Sequence, residues 1–489
     1  MNRSIIAIIF LAFKTEADTL NLKESIKLAL MNNKTIIQES NYNLRLKKLE
    51  RDVVYKEYRP RFDTNFLREK IKTRKKIEFE EIATEINTET KRDNWDVGGY
   101  LSYVFSNGIK FNSELKNQIA YDRISDKYQS SIQGSFELPL SLTKGRRLEN
   151  LLPLKSADEG YQLSQINYEL AKQRLILECI EKYFALYKAN RNVELAKEQV
   201  SLTKQLLKTS EAKFKLGEIS EVDKMQVEVE LALHEDELRL YIFQKESAVK
   251  EFLRIIGISN QREDIAINEQ LPLFPEVKYE LKECVKEGLK NRLEIKAQEI
   301  ALSQQKRNII LTKTKNKPNI SFILQDKYLS KEEKELEQVI KEYPDREWTI
   351  KFTVSYSFYD SSKTKKEVEK AYVSYEMEKE RLERQKEDIE NEISLIYNEE
   401  SSLKHRLKNL EINLGLAHKT LQMNQKKYEL GKISSREVIE SQLSYRNLKS
   451  SYEDVNIDFI INQLRLLKAM GISLEKKTLY LLDGRLEDR

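Results

Sequence analysis

The sequence has 489 residues; 34% of them are charged, whereas only 13 are Gly and 7 are Pro. Average proteins contain about 7% Gly, 5% Pro and 25% charged residues, so this composition favours long helices over ordinary globular domains. The 85 basic and 80 acidic residues leave a net charge of +5. That balance offers no strong field of one sign, which argues against a dedicated nucleic-acid-binding protein.

The N-terminus carries the longest apolar run, from Ile5 to Phe13. Small residues precede a possible cut after Ala17, and this pattern predicts a signal peptide at residues 1–17. Lys14 and Glu16 are unusual so near a cleavage site, so an N-terminal anchor or a buried segment is the alternative. The run is far shorter than the roughly 18 to 20 residues of a membrane-spanning helix, and we expect no transmembrane helix.

Residues 348–358 alternate strictly between apolar and polar side chains, with aromatic residues at both ends. The apolar positions are Trp348, Ile350, Phe352, Val354, Tyr356 and Phe358. A strand of about 10 residues with one apolar face is typical of a transmembrane β-barrel, and we expect these six side chains to face lipid. A soluble β-sandwich is the alternative interpretation.

Weaker alternation predicts further strands at 62–72, 95–105, 109–121, 128–140 and 319–329. The first half of the chain would then hold four strands and the second half two. Open sheet edges are not tolerated in lipid, and so few strands cannot close a wide barrel alone. We therefore expect several subunits to share one barrel.

Two long stretches, 154–271 and 345–489, contain no Pro and are predicted to form long helices. Apolar residues recur every seven positions at 163–187 and again at 389–414, which indicates helices that need partner helices. An unbroken helix over 150–213 would be about 95 Å long.

An internal repeat organises the chain. The segment from Phe214 to Ser220 recurs from Tyr428 to Ser434 as a Leu-Gly-x-Ile-Ser turn, and similar short segments recur elsewhere. Each repeat is predicted to run from a helix through strands to a long helix, the turn and a last helix. The resulting organisation is a signal peptide at 1–17; a first repeat at 18–259, with strands at about 62–141 and long helices at about 150–256; a linker at 260–280; a second repeat at 281–473, with strands at about 319–359 and long helices at about 362–470; and a tail at 474–489.

The duplicated helix-strand-strand-helix plan, the Leu-Gly-x-Ile-Ser turns and the Pro residues that precede the strands resemble the TolC-type outer-membrane efflux proteins. This resemblance implies an α+β membrane protein. In such a protein, three copies close one transmembrane β-barrel in the outer membrane, continued by a long α-helical coiled-coil barrel through the periplasm. The additional strands near 95–121 leave open whether that barrel has 12 strands or more.

The family resemblance implies a function as the channel-tunnel of a tripartite efflux or secretion system, a passive export duct for drugs, other small molecules or proteins. The implied partners are a periplasmic adaptor, an inner-membrane RND pump or ABC exporter, and outer-membrane lipid. The turns would dock against the adaptor through Leu216, Gly217, Glu218, Leu430, Gly431 and Lys432.

The resemblance also implies a periplasmic gate. Asp223 and Tyr428 match a hydrogen-bonding pair that holds the entrance closed, and Glu437 and Glu440 match acidic rings that constrict it. In a threefold tunnel such rings would attract cations and raise one another's pKa. Ile433 stands where the family's best-known example has a gate arginine, with Arg436 or Lys432 as alternatives. Taken alone, these carboxylates are more often solvated coiled-coil charges.

Nothing in the sequence predicts an enzyme or a cofactor. His234, His405 and His418 lie in charged helical stretches without a paired ligand or nucleophile, and we interpret them as solvated. Cys179 and Cys284 lack a metal-binding or disulfide spacing, so we expect buried small side chains. The main alternative function is a structural coiled-coil protein without channel activity.

Overall fold

The computed structural model describes residues 20–78, 85–105, 110–122, 127–139, 144–258, 279–315, 317–356 and 359–475. The predicted signal peptide, nearly all of the predicted linker and tail, and Phe358 lie outside these ranges. The chain divides into two compact units. The helical unit comprises residues 1–43, 165–297 and 383–489, and the sheet unit comprises 44–164 and 298–382.

Nine α-helices and six strands are described in these ranges. The helices are α1 (Leu22–Asn32), α2 (Glu39–Glu57), α3 (Lys144–Lys215), α4 (Glu221–Ile256), α5 (Leu281–Asn291), α6 (Leu293–Lys315), α7 (Leu336–Lys341), α8 (Lys363–Glu429) and α9 (Ser435–Ala469). The strands are β1 (Arg61–Glu78), β2 (Glu85–Val104), β3 (Lys110–Asp122), β4 (Lys127–Pro139), β5 (Asn319–Leu329) and β6 (Asp345–Ser355). Within the described ranges, no helix is both long enough and apolar enough to span a membrane.

The two longest helices, α3 with 72 residues and α8 with 67, lie where the sequence predicts them. Pro153 lies inside α3, near its N-terminal end. A proline inside a helix removes one backbone hydrogen bond and crowds the preceding turn. In this turn the hydroxyl of Tyr58, the residue after α2, donates a hydrogen bond to the carbonyl oxygen of Asn150. A carbonyl group close to the proline is therefore hydrogen-bonded by a side chain.

The duplication is visible as two equivalent close contacts within the helical unit. Gly257 follows α4 and Gly471 follows α9, and both have a φ of 73°. A Cβ on Gly257 would lie 2.5 Å from the carbonyl oxygen of Asn32, and one on Gly471 would lie 2.8 Å from the carbonyl carbon of Asn291. Only glycine fits both the left-handed conformation and the space. Each repeat thus ends by packing its last turn against its own first helix.

In both repeats a side chain near these glycines donates a hydrogen bond to a backbone carbonyl at the end of the last helix. The amide of Asn33 donates to the carbonyl oxygen of Ile255 at 3.1 Å, and the guanidinium of Arg292 donates to that of Ala469 at 3.4 Å. The core of the helical unit is apolar and combines the middle of α3 with the last turns of α4 and α9. It includes Ile176, Ile180, Phe184, Phe252, Ile256 and Leu464. Cys179 and Cys284 are free and buried, which confirms the prediction for both.

The sheet unit contains one antiparallel sheet in which the strands lie in chain order, β1 to β6. Four strands come from the first repeat and two from the second, as the alternation predicts. β4 pairs with β5 although the helices α3 to α6 separate them in the chain, with Phe136 opposite Leu324. β1 and β6 are the two edges of the sheet within the protomer.

Candidate functional site

The two repeat turns have the same backbone geometry. Gly217 and Gly431 have φ values of 77° and 70°. In each turn the backbone amide of the residue after the glycine donates a hydrogen bond to a carbonyl oxygen of the preceding helix. The bonds run from Glu218 to Lys213 and from Lys432 to Lys427, both at 2.9 Å. These bonds form the usual left-handed closure of a helix. Leu216 and Leu430 are 74% and 69% exposed, so each turn presents an apolar side chain at its end.

Two of the predicted gate carboxylates cap their own helices in the protomer. The carboxylate of Asp223 accepts from the amide and the hydroxyl of Ser220, at 3.2 and 2.7 Å. Glu437 accepts in the same way from Ser434 at 3.3 Å. Both are capping boxes, which satisfy amide groups at a helix start and place negative charge there. Capping leaves each carboxylate at the exposed start of the helix that leads away from the turn.

Tyr428, two residues before Leu430 of the second turn, is only 4% exposed. Its hydroxyl shares a 2.9 Å hydrogen bond with Ser210 of α3, and the Lys213 ammonium lies 4.3 Å from its ring centre. Lys213 also donates to the Tyr428 carbonyl at 2.6 Å. Within the described part of the protomer, therefore, the hydroxyl of Tyr428 links α8 to α3. No bond described there joins it to Asp223, so that pairing stays a prediction.

The remaining predicted gate residues divide into an apolar and a charged group. Ile433 packs against a small cluster formed by Leu206, Val227, Tyr428, Val438 and Ile439. At this position the chain therefore has an apolar contact between helices in place of a cation. Arg436 donates to Glu440 at 3.0 Å across one turn of α9, and both side chains are largely exposed. An exposed pair of this kind adds little to stability, so it is available to a ligand or another subunit.

A buried polar layer lies further along the same helices, where the sequence interpretation of His234 is wrong. His234 is 5% exposed, and its Nδ1 lies 3.0 Å from the Thr203 hydroxyl. Thr203 already donates to the Gln199 carbonyl at 2.9 Å, so the histidine ring must donate to Thr203. The charged residues around His234 in the sequence hid its burial, because a charged stretch of helix is usually solvated.

Charges flank this layer. Burial lowers the pKa of His234 from its ordinary value of 6.5, although Glu230 and Glu237 act in the opposite direction. Arg446 of α9 donates to Glu237 at 2.6 Å, and this bond lowers the pKa of the Glu237 carboxyl. The layer therefore contains a buried histidine beside a closed Arg-Glu pair. His405 and His418 are exposed, as predicted.

The sheet has one apolar and one polar face across its six strands. Because residues directly opposite each other share a face, the register assigns both sets. The apolar face contains Phe62, Phe66, Val97, Leu101, Phe111, Ile119, Ile132, Phe136, Phe322, Leu324, Trp348, Ile350, Phe352 and Val354. The opposite face contains Asp63, Asn65, Tyr100, Gln118, Ser131, Gln133, Ser135, Gln325, Lys327, Glu347, Thr349, Lys351 and Thr353.

The apolar face is uncovered in the protomer. Phe62 at one edge is 70% exposed and Phe352 at the other is 61% exposed. A soluble sandwich would bury this face against a second layer. Within the described residues, such a layer is absent from the sheet unit. Tyr356 follows β6 and is exposed, so five of the six predicted lipid-facing positions lie in or next to an exposed strand.

The helical unit exposes two apolar stripes of its own. On α4 the stripe comprises Val222, Met225, Val229, Leu233, Leu240 and Phe243, and on α8 it comprises Leu395, Ile412, Leu416 and Met423. Each of these side chains is more than half exposed. Successive residues of each stripe are three, four or seven positions apart, or nearly another multiple of 3.5. This spacing is typical of a helix surface that packs against another helix. We name them the α4 stripe and the α8 stripe.

Comparison with solved structures gives the class of the fold. Three solved structures, the outer membrane channels CmeC and MtrE and the outer membrane protein VceC, align over nearly the whole chain. CmeC of Campylobacter jejuni aligns with a TM-score of 0.69 and 15% identity, over 95% of this chain and 90% of CmeC. VceC of Vibrio cholerae aligns with a TM-score of 0.68 and 12% identity, over 92% of this chain and 96% of VceC. The open state of MtrE of Neisseria gonorrhoeae aligns with a TM-score of 0.66 and 14% identity, over 93% of this chain and 89% of MtrE. The duplicated helix-strand-strand-helix fold predicted from the sequence is confirmed.

Residues 284–472 match the family model described as outer membrane efflux protein. No curated protein matches the sequence significantly. Among the described residues, no cluster of His, Cys, Asp and Glu side chains could hold a metal ion.

Sequence reasoning missed the residues that support the gate region from within. Ser210, Lys213, Thr203 and Arg446 lie on different helices from the groups they contact, so no local pattern marks them. The one available signal was the repeat itself. Tyr428 replaces Phe214 of the first repeat, and the added hydroxyl requires a partner if it is buried.

Proposed function

We propose that this protein is the outer-membrane channel-tunnel of a tripartite efflux or secretion system and acts as a homotrimer. In this role it is a passive duct that carries small molecules, including drugs, or proteins from the periplasm or cytoplasm to the exterior. The observation that supports this function most strongly is the six-stranded sheet with one exposed apolar face and one polar face. Such a sheet can face lipid on one side and water on the other.

The open edges of the sheet support assembly. Among the described residues, β1 and β6 each pair with a strand on one side only, and unpaired backbone groups on the outer edge are too costly in a bilayer to remain open. Closure by further copies satisfies both edges at once. The strands and the aromatic face would then lie in the outer membrane, with Trp348, Ile350, Phe352, Val354, Tyr356 and Phe358 against lipid.

The two apolar stripes support the same assembly in the helical unit. The α4 stripe and the α8 stripe are different surfaces, so their pairing between copies is heterologous and must close into a ring to remain finite. Met225 lies eight residues after Gly217, and Met423 lies eight residues before Gly431. The two stripes therefore match in distance from the turns when one copy's α4 meets the next copy's α8 in a periplasmic helical barrel.

Three copies bring the helix-capping carboxylates near the turns together. Rings of Glu437 and Glu440 would place negative potential at a narrow entrance, which attracts cations, and Asp223 with Tyr428 would hold that entrance closed. Tyr428 and its link to α3 hold the end of α8 in place beside that entrance. The exposed turns, with Leu216 and Leu430 at their ends and Glu218 and Lys432 beside the glycines, would contact a periplasmic adaptor that connects to an inner-membrane RND pump or ABC exporter.

A structural coiled-coil protein is the alternative function. It accounts for the long helices and the apolar stripes. It does not account for an uncovered apolar sheet whose opposite face is polar, and we therefore favour the channel.

Planar-bilayer recording of the detergent-purified protein tests the proposal. We expect a trimer that inserts cation-preferring channels. The double variant Glu437→Gln with Glu440→Gln should lower the cation preference and relieve block by multivalent cations. Glutamine keeps the capping box of Ser434, so the helix start stays intact. A monodisperse soluble monomer without channels would contradict the function, and unchanged selectivity in a conducting variant would move the constriction elsewhere.

A further inference from the structure

We propose that all six strands of each protomer enter the shared barrel, so that three copies close an 18-stranded barrel through β1 of one protomer and β6 of the next. This inference builds on the proposed homotrimer and goes beyond it by fixing how many strands surround the pore. Six strands from each of three copies give the count. The alternative is a smaller barrel in which the hairpin of β1 and β2 stays outside and β3 becomes the edge.

Pairing in the sheet is continuous from edge to edge. The β2 to β3 ladder runs from Arg92 opposite Asp122 to Val104 opposite Lys110, without a break. A hairpin that folded away from the barrel would have to give up this whole ladder. Each buried backbone group left unpaired there would cost several kcal/mol in lipid.

The strands also share one membrane-spanning length. β5 and β6 have 11 residues each, and β3 and β4 have 13 each. β1 and β2 are longer, but only part of each belongs to the common sheet. The segment from Arg61 to Ile71 lies opposite Ser102 to Arg92, and that part of β2 is also the part that pairs with β3. All six strands therefore provide the 9 to 11 residues that a tilted strand needs to cross a bilayer.

The chemistry of the β1–β2 hairpin is that of a barrel wall. Its apolar positions, among them Phe62, Phe66, Val97 and Leu101, continue the rows formed on β5 and β6. The ring of Phe66 meets that of Trp95 edge to face, with centres 5.8 Å apart. A hairpin placed in water would expose these rings without compensation, whereas lipid covers them.

Both edge strands are exposed on their two faces, whereas the inner strands are mostly half-buried. Such exposure is expected when the strand at each edge of the sheet lacks a neighbouring strand on its outer side. The occupant we assign to each edge is a second copy of this chain, because β1 runs antiparallel to β6 within the ordered alternation and both carry the same apolar and polar faces. Joining them continues each face without interruption.

The consequence concerns the duct. Barrel diameter grows roughly linearly with strand number, so an 18-stranded barrel is about 1.5 times as wide as a 12-stranded one. Barrels of 16 to 18 strands enclose an open aqueous channel. Its wall would present short polar side chains such as Ser131, Gln133 and Thr349. The barrel would then set no narrow size limit, and selection would fall to the gate region of the helical unit.

Disulfide crosslinking in the full-length trimer tests the strand count. Asn65→Cys in β1 is combined in turn with Asp345→Cys, Glu347→Cys, Thr349→Cys, Lys351→Cys, Thr353→Cys or Ser355→Cys, which are all the positions of β6 on the polar face. Gln118→Cys in β3, combined with the same six, is the matched control. All these residues lie on the polar face, so folding should be retained, and the two native cysteines are buried.

We expect at least one β1–β6 combination to give covalent dimers and trimers, with none from the β3–β6 set. Crosslinks from β3 to β6 would overturn the 18-stranded barrel and favour a 12-stranded one. Trimers that conduct but give no crosslink in either set would also overturn it, while leaving the proposed function intact. Loss of both trimers and channels in the parent protein would instead contradict the function itself, so the two failures are distinguishable.

Discussion

The first and second repeats differ in what has been kept and what has changed. Both keep the glycine that follows the last helix and packs on the first one, at Gly257 and Gly471. Both keep the exposed turn at Gly217 and Gly431 and a capping box beyond it. Among the described residues, by contrast, the first repeat has four strands and the second has two. The duplicated backbone of the helices is therefore tightly constrained, whereas the sheet could grow by adding a hairpin.

The largest expected effect separates the two kinds of glycine. Gly257→Ala and Gly471→Ala should each lower the free energy of unfolding by about 2 to 5 kcal/mol, because the left-handed conformation and a backbone clash add together. Gly217→Ala and Gly431→Ala should cost only about 1 to 2 kcal/mol, since both turns have open space around them. Denaturant unfolding of all four variants measures these free energies. Equal losses in all four would show that the close contacts with Asn32 and Asn291 add nothing to the cost of the left-handed conformation.

The apolar faces of the two repeats should be interchangeable as membrane surfaces. Phe352→Arg in the second repeat should cost about 2 to 4 kcal/mol if the position lies near the bilayer midplane, and Phe66→Arg in the first repeat should behave similarly. Thr349→Arg lies on the polar face of the same strand as Phe352 and is the control. Folding into lipid vesicles at graded urea concentrations measures the cost. Wild-type insertion of Phe66→Arg with loss for Phe352→Arg would place the first hairpin outside the lipid.

The third prediction concerns a difference between the two repeats near the turns. Tyr428→Phe gives the second repeat the side chain that the first has at Phe214 and removes the hydroxyl bond to Ser210. We expect a loss of about 1 kcal/mol per subunit and a higher resting conductance as α8 loosens from α3. Ser210→Ala should give the same conductance change. A double variant no worse than either single one would confirm that the two hydroxyls act as a pair.

The smallest expected effect is the pH dependence of the first repeat, which has His234 where the second has Leu448. Burial lowers the pKa of His234 in the folded protein, so the unfolded chain binds more protons as the pH falls. Its stabilising contribution is complete above the unfolded pKa of about 6.5 and is lost as the pH falls from there towards the lowered folded value. His234→Leu should flatten this slope, whereas His418→Asn, at an exposed histidine, should leave it unchanged. An equal slope in His234→Leu would contradict the assignment.

The sequence predicted those parts of the fold that have a local period. The six strands follow alternation, the long helices follow a seven-residue spacing, and the turns at Gly217 and Gly431 follow from their repeated motif. Asp223 and Glu437 were predicted as gate residues, with solvated coiled-coil charges as the alternative, and in the protomer they cap their own helices. His234 was misinterpreted because its burial depends on residues far away in the chain. A single buried polar contact between helices leaves no periodic trace.

One measurement tests the trimeric tunnel most directly. The double variant Met225→Cys with Met423→Cys places one thiol in the α4 stripe and one in the α8 stripe, at equal distances from the two turns. Met225→Cys with Gln422→Cys is the control, one residue away on α8. Oxidation of the purified protein should convert it into a covalent trimer with nothing larger, because the heterologous contact closes after three copies. Failure to crosslink between copies, or an open ladder that extends beyond three, would contradict a closed threefold channel.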